Sequence, residues 1–146
     1  MPDAAKLIAA LLIGCVAYSV SFQIMPLMPE STDFGSFVYV NTILGIATGW
    51  MVMGKRAGRG ITAAINNGLG GALMLVLWGL FIHSCYQMFD RAMDNWYNGA
   101  FVALAAIFQF MAEYALILLD PSVLLILAMG GVLAGLATEY AWRTWR

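Results

Sequence analysis

The chain has 146 residues, of which 62% are hydrophobic and only 10% are charged, and its formal net charge is −1. Soluble domains average about 45–50% apolar and about 25% charged residues, so a soluble protein of this size could not bury so much apolar surface. The weak net charge also argues against a basic nucleic-acid-binding domain. The sequence therefore predicts a single membrane domain over residues 1–146, with the lipid bilayer as its partner and no nucleic acid.

Four long runs without Asp, Glu, Lys or Arg predict helices that cross the membrane. Each run has about 18 residues or more, and a helix needs about 20 to span the hydrocarbon layer. Backbone groups cannot bond to water in lipid, so continuous apolar runs of this length predict helices and not a β-barrel. The runs are Leu7–Pro29, Phe34–Gly54, Gly60–Phe89 and Pro121–Thr138.

The connection after the first run has the composition of an outer loop. It contains Pro26, Pro29, Glu30 and Asp33 and no cation. The prolines are expected to end the first helix. The N-terminal segment carries Lys6 and is therefore expected on the opposite, cytoplasmic side.

The next connection is the stretch "MGKRAGRG", Met53–Gly60, with Lys55, Arg56 and Arg59. A phosphate-binding loop would read G-x-x-x-x-G-K-[ST], which this stretch does not match. Clustered cations between two spans instead mark a short cytoplasmic loop under the positive-inside rule. The glycines expected to let the chain turn are Gly54, Gly58 and Gly60.

Polar residues inside the third run are candidates for function. Asn66 and Asn67 lie just after the basic loop, where they are interpreted as helix-packing or interfacial residues, and alternatively as part of an anion site with Arg56 and Arg59. His83 and Cys85 diverge by about 200° around a helix, so one ion cannot bind both without a partner from another helix. The preferred interpretation is a hydrogen-bonded imidazole and an inert, packed thiol.

A fifth apolar segment, Phe101–Leu119, contains Gln109 and Glu113 one turn apart. Asp120 and Pro121 follow it as the N-cap and first position of a last helix. If the segment is interfacial or re-entrant, the protein has four spans and both ends are cytoplasmic. The alternative is five spans. Glu113 is either a functional intramembrane carboxylate or a solvated side chain, since a charge in lipid is costly.

The C-terminal stretch "EYAWRTWR" combines Arg143 and Arg146 with three aromatic residues, as at a cytoplasmic membrane interface. Two GxxxG pairs predict close helix contacts within the bundle or between copies of the chain, or with a larger membrane complex. They are Gly45 with Gly49 and Gly131 with Gly135. The fold class predicted is an all-α polytopic bundle of four spanning helices plus one interfacial or re-entrant helix.

The sequence shows no nucleophile with a base, no H-E-x-x-H and no dinucleotide or phosphate loop. A non-enzymatic protein without metal or cofactor is expected.

In combination, "MGKRAGRG", "NNG", "LVLWGLFIHSC", "IFQFMAEY" and "GGVLAGLATEYAWRTWR" resemble the TrgA family of alphaproteobacterial membrane proteins over essentially the whole chain. The resemblance implies a bacterial inner-membrane protein linked to tellurite resistance and carries over no catalytic residue. The chain departs from the family at Tyr86 and Gln87, where an acidic or amide pair is usual. An accessory subunit of a larger membrane complex and a small oxyanion or proton-coupled transporter are the alternatives.

Overall fold

The computed structural model describes residues 2–27, 37–93 and 99–145. These residues are almost entirely helical and contain no strand, which confirms the all-α prediction. A short 3-10 turn, Met25–Leu27, follows the first α-helix, and a π-helical turn, Gly49–Met53, and a 3-10 turn, Gly54–Arg56, follow the second. The five α-helices are α1 (Pro2–Ile24), α2 (Phe37–Thr48), α3 (Ile61–Met93), α4 (Ala100–Leu118) and α5 (Pro121–Thr144).

The helix ends follow the local signals in the sequence. α1 ends at Ile24, just before Pro26, while Glu30 and Asp33 lie outside the described residues. α5 begins at Pro121 after the N-cap residue Asp120, as predicted. Proline suits this position because the first N–H of a helix has no intrahelical partner.

Helices α1, α2, α5 and the first two thirds of α3 pack as an antiparallel bundle that depends on small residues. A Cβ added at Gly45 would lie 2.7 Å from the carbonyl oxygen of Ile13, and one at Gly49 would collide with Ala9, both on α1. Gly131 and Gly135 similarly face Gly68 and Ala64 of α3. The predicted close contacts are therefore confirmed within the bundle, and the chain's own helices cover these glycine faces.

The bundle has two distinct ends. At one end, which we call the basic end, Gly54 contacts Lys6 of α1 and Gly58 bonds to Glu139 of α5. At the other end, which we call the far end, Ile24 and Val123 share one apolar cluster with Phe37 packed against it. Both described chain termini, Pro2 and Trp145, belong to helix ends at the basic end.

Helix α4 is peripheral to this bundle and packs mainly on α3. Met88 of α3 forms a cluster with Ala106, Ile107 and Phe110 of α4, while only the last turn of α4 reaches the far-end cluster, through Ile117 and Leu118. The part of α3 from His83 to Met93 adds about 15 Å at 1.5 Å per residue. Thus α4 runs antiparallel to this extension, and only its last turn reaches the bundle.

All five helices are long and apolar enough to cross a membrane. Many large apolar side chains are exposed on them, as expected for helices that face lipid. The chain is a multi-pass membrane protein of helical-bundle type.

Candidate functional site

The basic end is organised around a carboxylate of α5. Glu139 is only 5% exposed. Its oxygens accept hydrogen bonds from the backbone N–H groups of Gly58 (2.6 Å) and Gly60 (3.2 Å), and from Nε of Arg143 (3.0 Å) one turn further along α5. A buried carboxylate is tolerated only when it is bonded in this way. Glu139 therefore clamps the basic loop onto the last helix.

The loop conformation requires glycine at two of the three predicted positions. Gly58 and Gly60 have φ of 93° and 105°, in the region that L side chains rarely adopt. A Cβ on Gly58 would also lie 2.6 Å from Cε2 of Trp142. Gly54 differs, because it lies in a 3-10 turn with φ of −61° and is needed for its close approach to Lys6.

The arginines of the loop share a shallow cavity with the asparagine pair. Asn67 is buried and its Nδ2 donates to the carbonyl oxygen of Met53 at 2.9 Å, which joins α3 to the π-helical turn after α2. Such a bond between helical segments is what the packing interpretation of Asn67 expects. Its Oδ1 is buried and has no hydrogen-bond partner among the described residues. The residues that line the cavity are Arg56, Arg59, Ala63, Asn66 and Asn67, and Lys55 is not among them.

A second polar group links three helices near the far end. Nε2 of His83 on α3 lies 2.7 Å from Oδ1 of Asn41 on α2, and Nδ2 of Asn41 donates to Oγ of Ser21 on α1 at 2.9 Å. Ser21 in turn donates to the carbonyl oxygen of Ala17 at 2.7 Å. The interpretation of His83 as a hydrogen-bonded, packed imidazole is confirmed.

The direction of these bonds fixes which nitrogen of His83 carries hydrogen. A carbonyl oxygen can only accept, so Ser21 donates to Ala17 and accepts from the Asn41 amide. The Asn41 oxygen then faces His83, and Nε2–H must donate to it. In the neutral imidazole Nδ1 is therefore an acceptor.

Beside this group lies a cavity with a volume of about 120 Å³. His83 and Asn41 lie in its wall together with Phe37, whose ring is 4.7 Å from that of His83 between centroids. Most of the remaining lining is aliphatic. The cavity is thus mainly apolar, with His83, Asn41 and Gln87 among its lining residues.

The other predicted site residues lie elsewhere. Gln109 and Glu113 are exposed together on α4, where Nε2 of Gln109 is 3.5 Å from Oε1 of Glu113. Cys85 packs against the α3–α4 cluster and not toward Asn41, so it diverges from His83 as predicted. The structure therefore does not bring Glu113, His83 and Cys85 into one site.

Three functional candidates were missed by sequence reasoning: Glu139, Asn41 and Ser21. The signal for Glu139 was its i,i+4 spacing to Arg143 in "EYAWR", which favours an ion pair on one helix face. Asn41 and Ser21 had weaker signals, as single polar residues within apolar runs. Their pairing depends on the register of α1 against α2, which no local pattern gives.

Fold and sites together define a multi-pass helical membrane protein with a clamped basic loop at one end and an apolar cavity at the other. No protein-family model matches this chain, and searches of curated proteins and of solved structures found no significant match. Its function must therefore be argued from its own residues.

Proposed function

We propose that the protein is a non-enzymatic component of the bacterial inner membrane that binds a small oxyanion at the basic end, in resistance to tellurite or a related stress. The resemblance to the TrgA family suggests the type of stress. The observation that carries the proposal is the cavity lined by Arg56, Arg59 and Asn67, together with the buried Oδ1 atom of Asn67, which has no hydrogen-bond partner among the described residues.

The groups around this cavity suit an oxyanion that retains a proton. Guanidinium groups only donate hydrogen bonds, whereas the Oδ1 atom of Asn67 only accepts them. An anion such as hydrogen tellurite or hydrogen phosphate has charged oxygens for Arg56 and Arg59 and an O–H for Asn67. Leaving a buried acceptor unpaired costs about 1–3 kcal/mol, so a ligand that supplies the O–H recovers this energy.

A four-span topology with both ends in the cytoplasm accompanies the proposal. Lys6, the loop cations and Arg143 lie at the same end of the bundle, which the positive-inside rule assigns to the cytoplasm. Helix α4 then lies at the periplasmic interface. Gln109 and Glu113 form one edge of its exposed face and reach water, while Phe101 and Phe108 lie in lipid.

A transporter would need a polar path between the two ends, often formed by broken helices. The described core between the basic loop and Asn41 is instead filled by apolar residues such as Ile13, Ala17 and Leu75. This packing favours binding at one face over passage through the bundle.

An accessory subunit of a larger complex is the second candidate, and α4 favours it. Its outer face exposes Phe101, Leu104, Phe108 and Leu116, while the glycine pairs are already covered within the chain. Purification in a mild detergent separates the candidates, because an accessory subunit brings stoichiometric partners and a self-sufficient binding protein does not.

The direct test replaces both arginines, as Arg56→Gln with Arg59→Gln, in a tellurite-sensitive host that expresses the chain. Loss of two charge-assisted donors at about 1.5 kcal/mol each weakens oxyanion binding about 100-fold. We expect tellurite resistance to be lost while the amount of membrane-inserted protein stays unchanged. Resistance is measured as the minimal inhibitory concentration, and abundance by immunoblot of membranes.

Lys55→Gln is the matched control, because it removes one charge from the same loop but not from the cavity lining. This variant should keep resistance. Unchanged resistance in the double arginine variant, at normal abundance and orientation, would contradict the oxyanion site.

A further inference from the structure

The cavity at the far end has the size of a single ring. Its volume is about 120 Å³. An apolar protein cavity of about 150 Å³ is known to stay dry and to bind benzene, so this one suits one aromatic ring and excludes a bulky polar solute.

The walls of the cavity favour an aromatic occupant. Phe37, Tyr86 and Tyr114 line it, along with aliphatic residues such as Leu80 and Leu127. Edge-to-face or offset contacts between aromatic rings are favourable beyond the area that the rings bury. The cavity is also open at one side, so a substituent on the ring can extend out of it.

Within the hydrogen-bonded pair of His83 and Asn41, the ring nitrogen that remains on His83 is an acceptor and not a donor. Nε2–H of His83 is committed to Oδ1 of Asn41, whose amide is in turn committed to Ser21. No described residue bonds to the Nδ1 atom of His83, which in the neutral ring accepts one hydrogen bond. A hydroxyl on the ring of a ligand would supply the matching donor.

We propose that this cavity binds the ring of a membrane-soluble phenol or quinol, whose hydroxyl donates to Nδ1 of His83. The aromatic and aliphatic walls bury the ring, and any apolar tail leaves through the open side into the lipid. Asn41 is a positioning residue, because it holds the imidazole with its Nε2–H turned away from the ligand. The site lies at the opposite end of the bundle from the basic loop and is independent of the oxyanion site.

The test compares two ligands of equal shape on the full chain in detergent micelles. The ligand p-cresol carries the hydroxyl, and p-xylene carries a methyl group in its place. At a free concentration about ten times the dissociation constant, p-cresol should raise the thermal unfolding midpoint by about 4 °C. We expect p-xylene to raise the midpoint by less than half as much.

Gly79→Leu provides the control for partitioning of both ligands into the micelle. Gly79 lines the cavity, and a Cβ there meets only Oδ1 of Asn41 at an ordinary 3.8 Å, so the rest of the leucine side chain can fill the space. This variant should fold and show no shift specific to p-cresol. Equal shifts in Gly79→Leu and the unmodified chain would overturn the site.

His83→Phe keeps an aromatic ring but removes the acceptor. The difference between p-cresol and p-xylene should then disappear, while binding of the apolar ring persists. If this variant does not fold, the two ligands on the unmodified chain still decide the proposal. Equal shifts by p-cresol and p-xylene there would show an apolar cavity without hydroxyl recognition and would overturn the assignment.

Discussion

Helices α4 and α5 are neighbours in the chain, are similarly apolar and carry one glutamate each. Yet α5 is central in the bundle and α4 is peripheral. α5 packs between α1 and α3 and buries Glu139, whereas α4 lies against α3 and exposes Glu113. Apolar character therefore does not decide which helix becomes central. What differs is the size of the side chains at the contact.

The central helix is the one whose contact face is made of small residues. Gly131 and Gly135 let the backbone of α5 touch that of Gly68, and Ala134 is almost fully buried beside them. In lipid the hydrophobic effect does not drive helices together. Close van der Waals packing of this kind drives their association instead. The contact face of α4 has no glycine and carries the large side chains of Ile107 and Phe110 beside Ala106.

The largest effect expected from the difference between α4 and α5 concerns membrane topology, because α4 either crosses the membrane or does not. If α4 does not cross the membrane, Ser122 at the start of α5 is periplasmic and a reporter fused after Arg146 is cytoplasmic. A single cysteine at Ser122, in a variant without Cys15 and Cys85, should react with an impermeant maleimide in intact cells. Green fluorescent protein fused to the C-terminus should be fluorescent, and alkaline phosphatase fused there should be inactive.

An active phosphatase after Arg146, together with a protected cysteine at Ser122, would establish five spans. The comparison of α4 with α5 would then hold for packing but not for topology. A cysteine at Thr62, which is exposed beside the basic loop, serves as the reference for the opposite end of the bundle.

The next effect concerns the glycine contact that makes α5 central. Gly68→Ala places a Cβ against the carbonyl oxygen of Gly131, where only backbone movement can make room. Overpacking of this kind costs about 3 kcal/mol. We expect the thermal midpoint in detergent to fall sharply, or the protein not to fold.

Gly70→Ala is the matched control, two residues further along α3, where an added Cβ meets nothing within 4 Å. It should raise stability by up to about 1 kcal/mol, because alanine is the better helix former. Equal destabilisation by the two variants would show that α3 and α5 do not touch at Gly68.

The smallest expected effect is the difference in stability between variants of Glu139 and Glu113. Glu139→Gln removes the charged group that accepts hydrogen bonds from Gly58, Gly60 and Arg143. A hydrogen bond to a charged group contributes about 2 kcal/mol to the free energy of unfolding. Arg143 adds little to this figure, because its side chain is 52% exposed. Glu113→Gln on the exposed face of α4 should change stability by less than about 0.5 kcal/mol. Unfolding in detergent, followed by circular dichroism, measures both. If the two variants behave alike, the carboxylate clamp contributes nothing.

Much of the fold could be predicted from local patterns. Proline ended α1, the Asp120–Pro121 pair began α5, and the GxxxG spacing located the contacts of Gly45 and Gly131. These signals are short-range, because each depends on residues within about one turn. Charge density likewise located the loop between α2 and α3.

The sites were harder to predict because they depend on register between helices. The bond between Asn41 and His83 joins residues 42 apart, and that between Gly58 and Glu139 joins residues 81 apart. Glu113 was singled out because its own segment is apolar, but burial is set by the neighbouring helices. α3 also continues to Met93, beyond the uncharged run that predicts it, which ends before Asp90.

The long separation within the carboxylate clamp has a consequence for biogenesis. A ribosome adds about 5–20 residues per second, so synthesis of the 81 residues from Gly58 to Glu139 takes about 4–16 s. During this time the loop is already at the membrane surface without its carboxylate acceptor. The clamp can therefore close only after α5, which carries Glu139, has been inserted. A chain truncated before α5 leaves the backbone N–H groups of Gly58 and Gly60 without this acceptor.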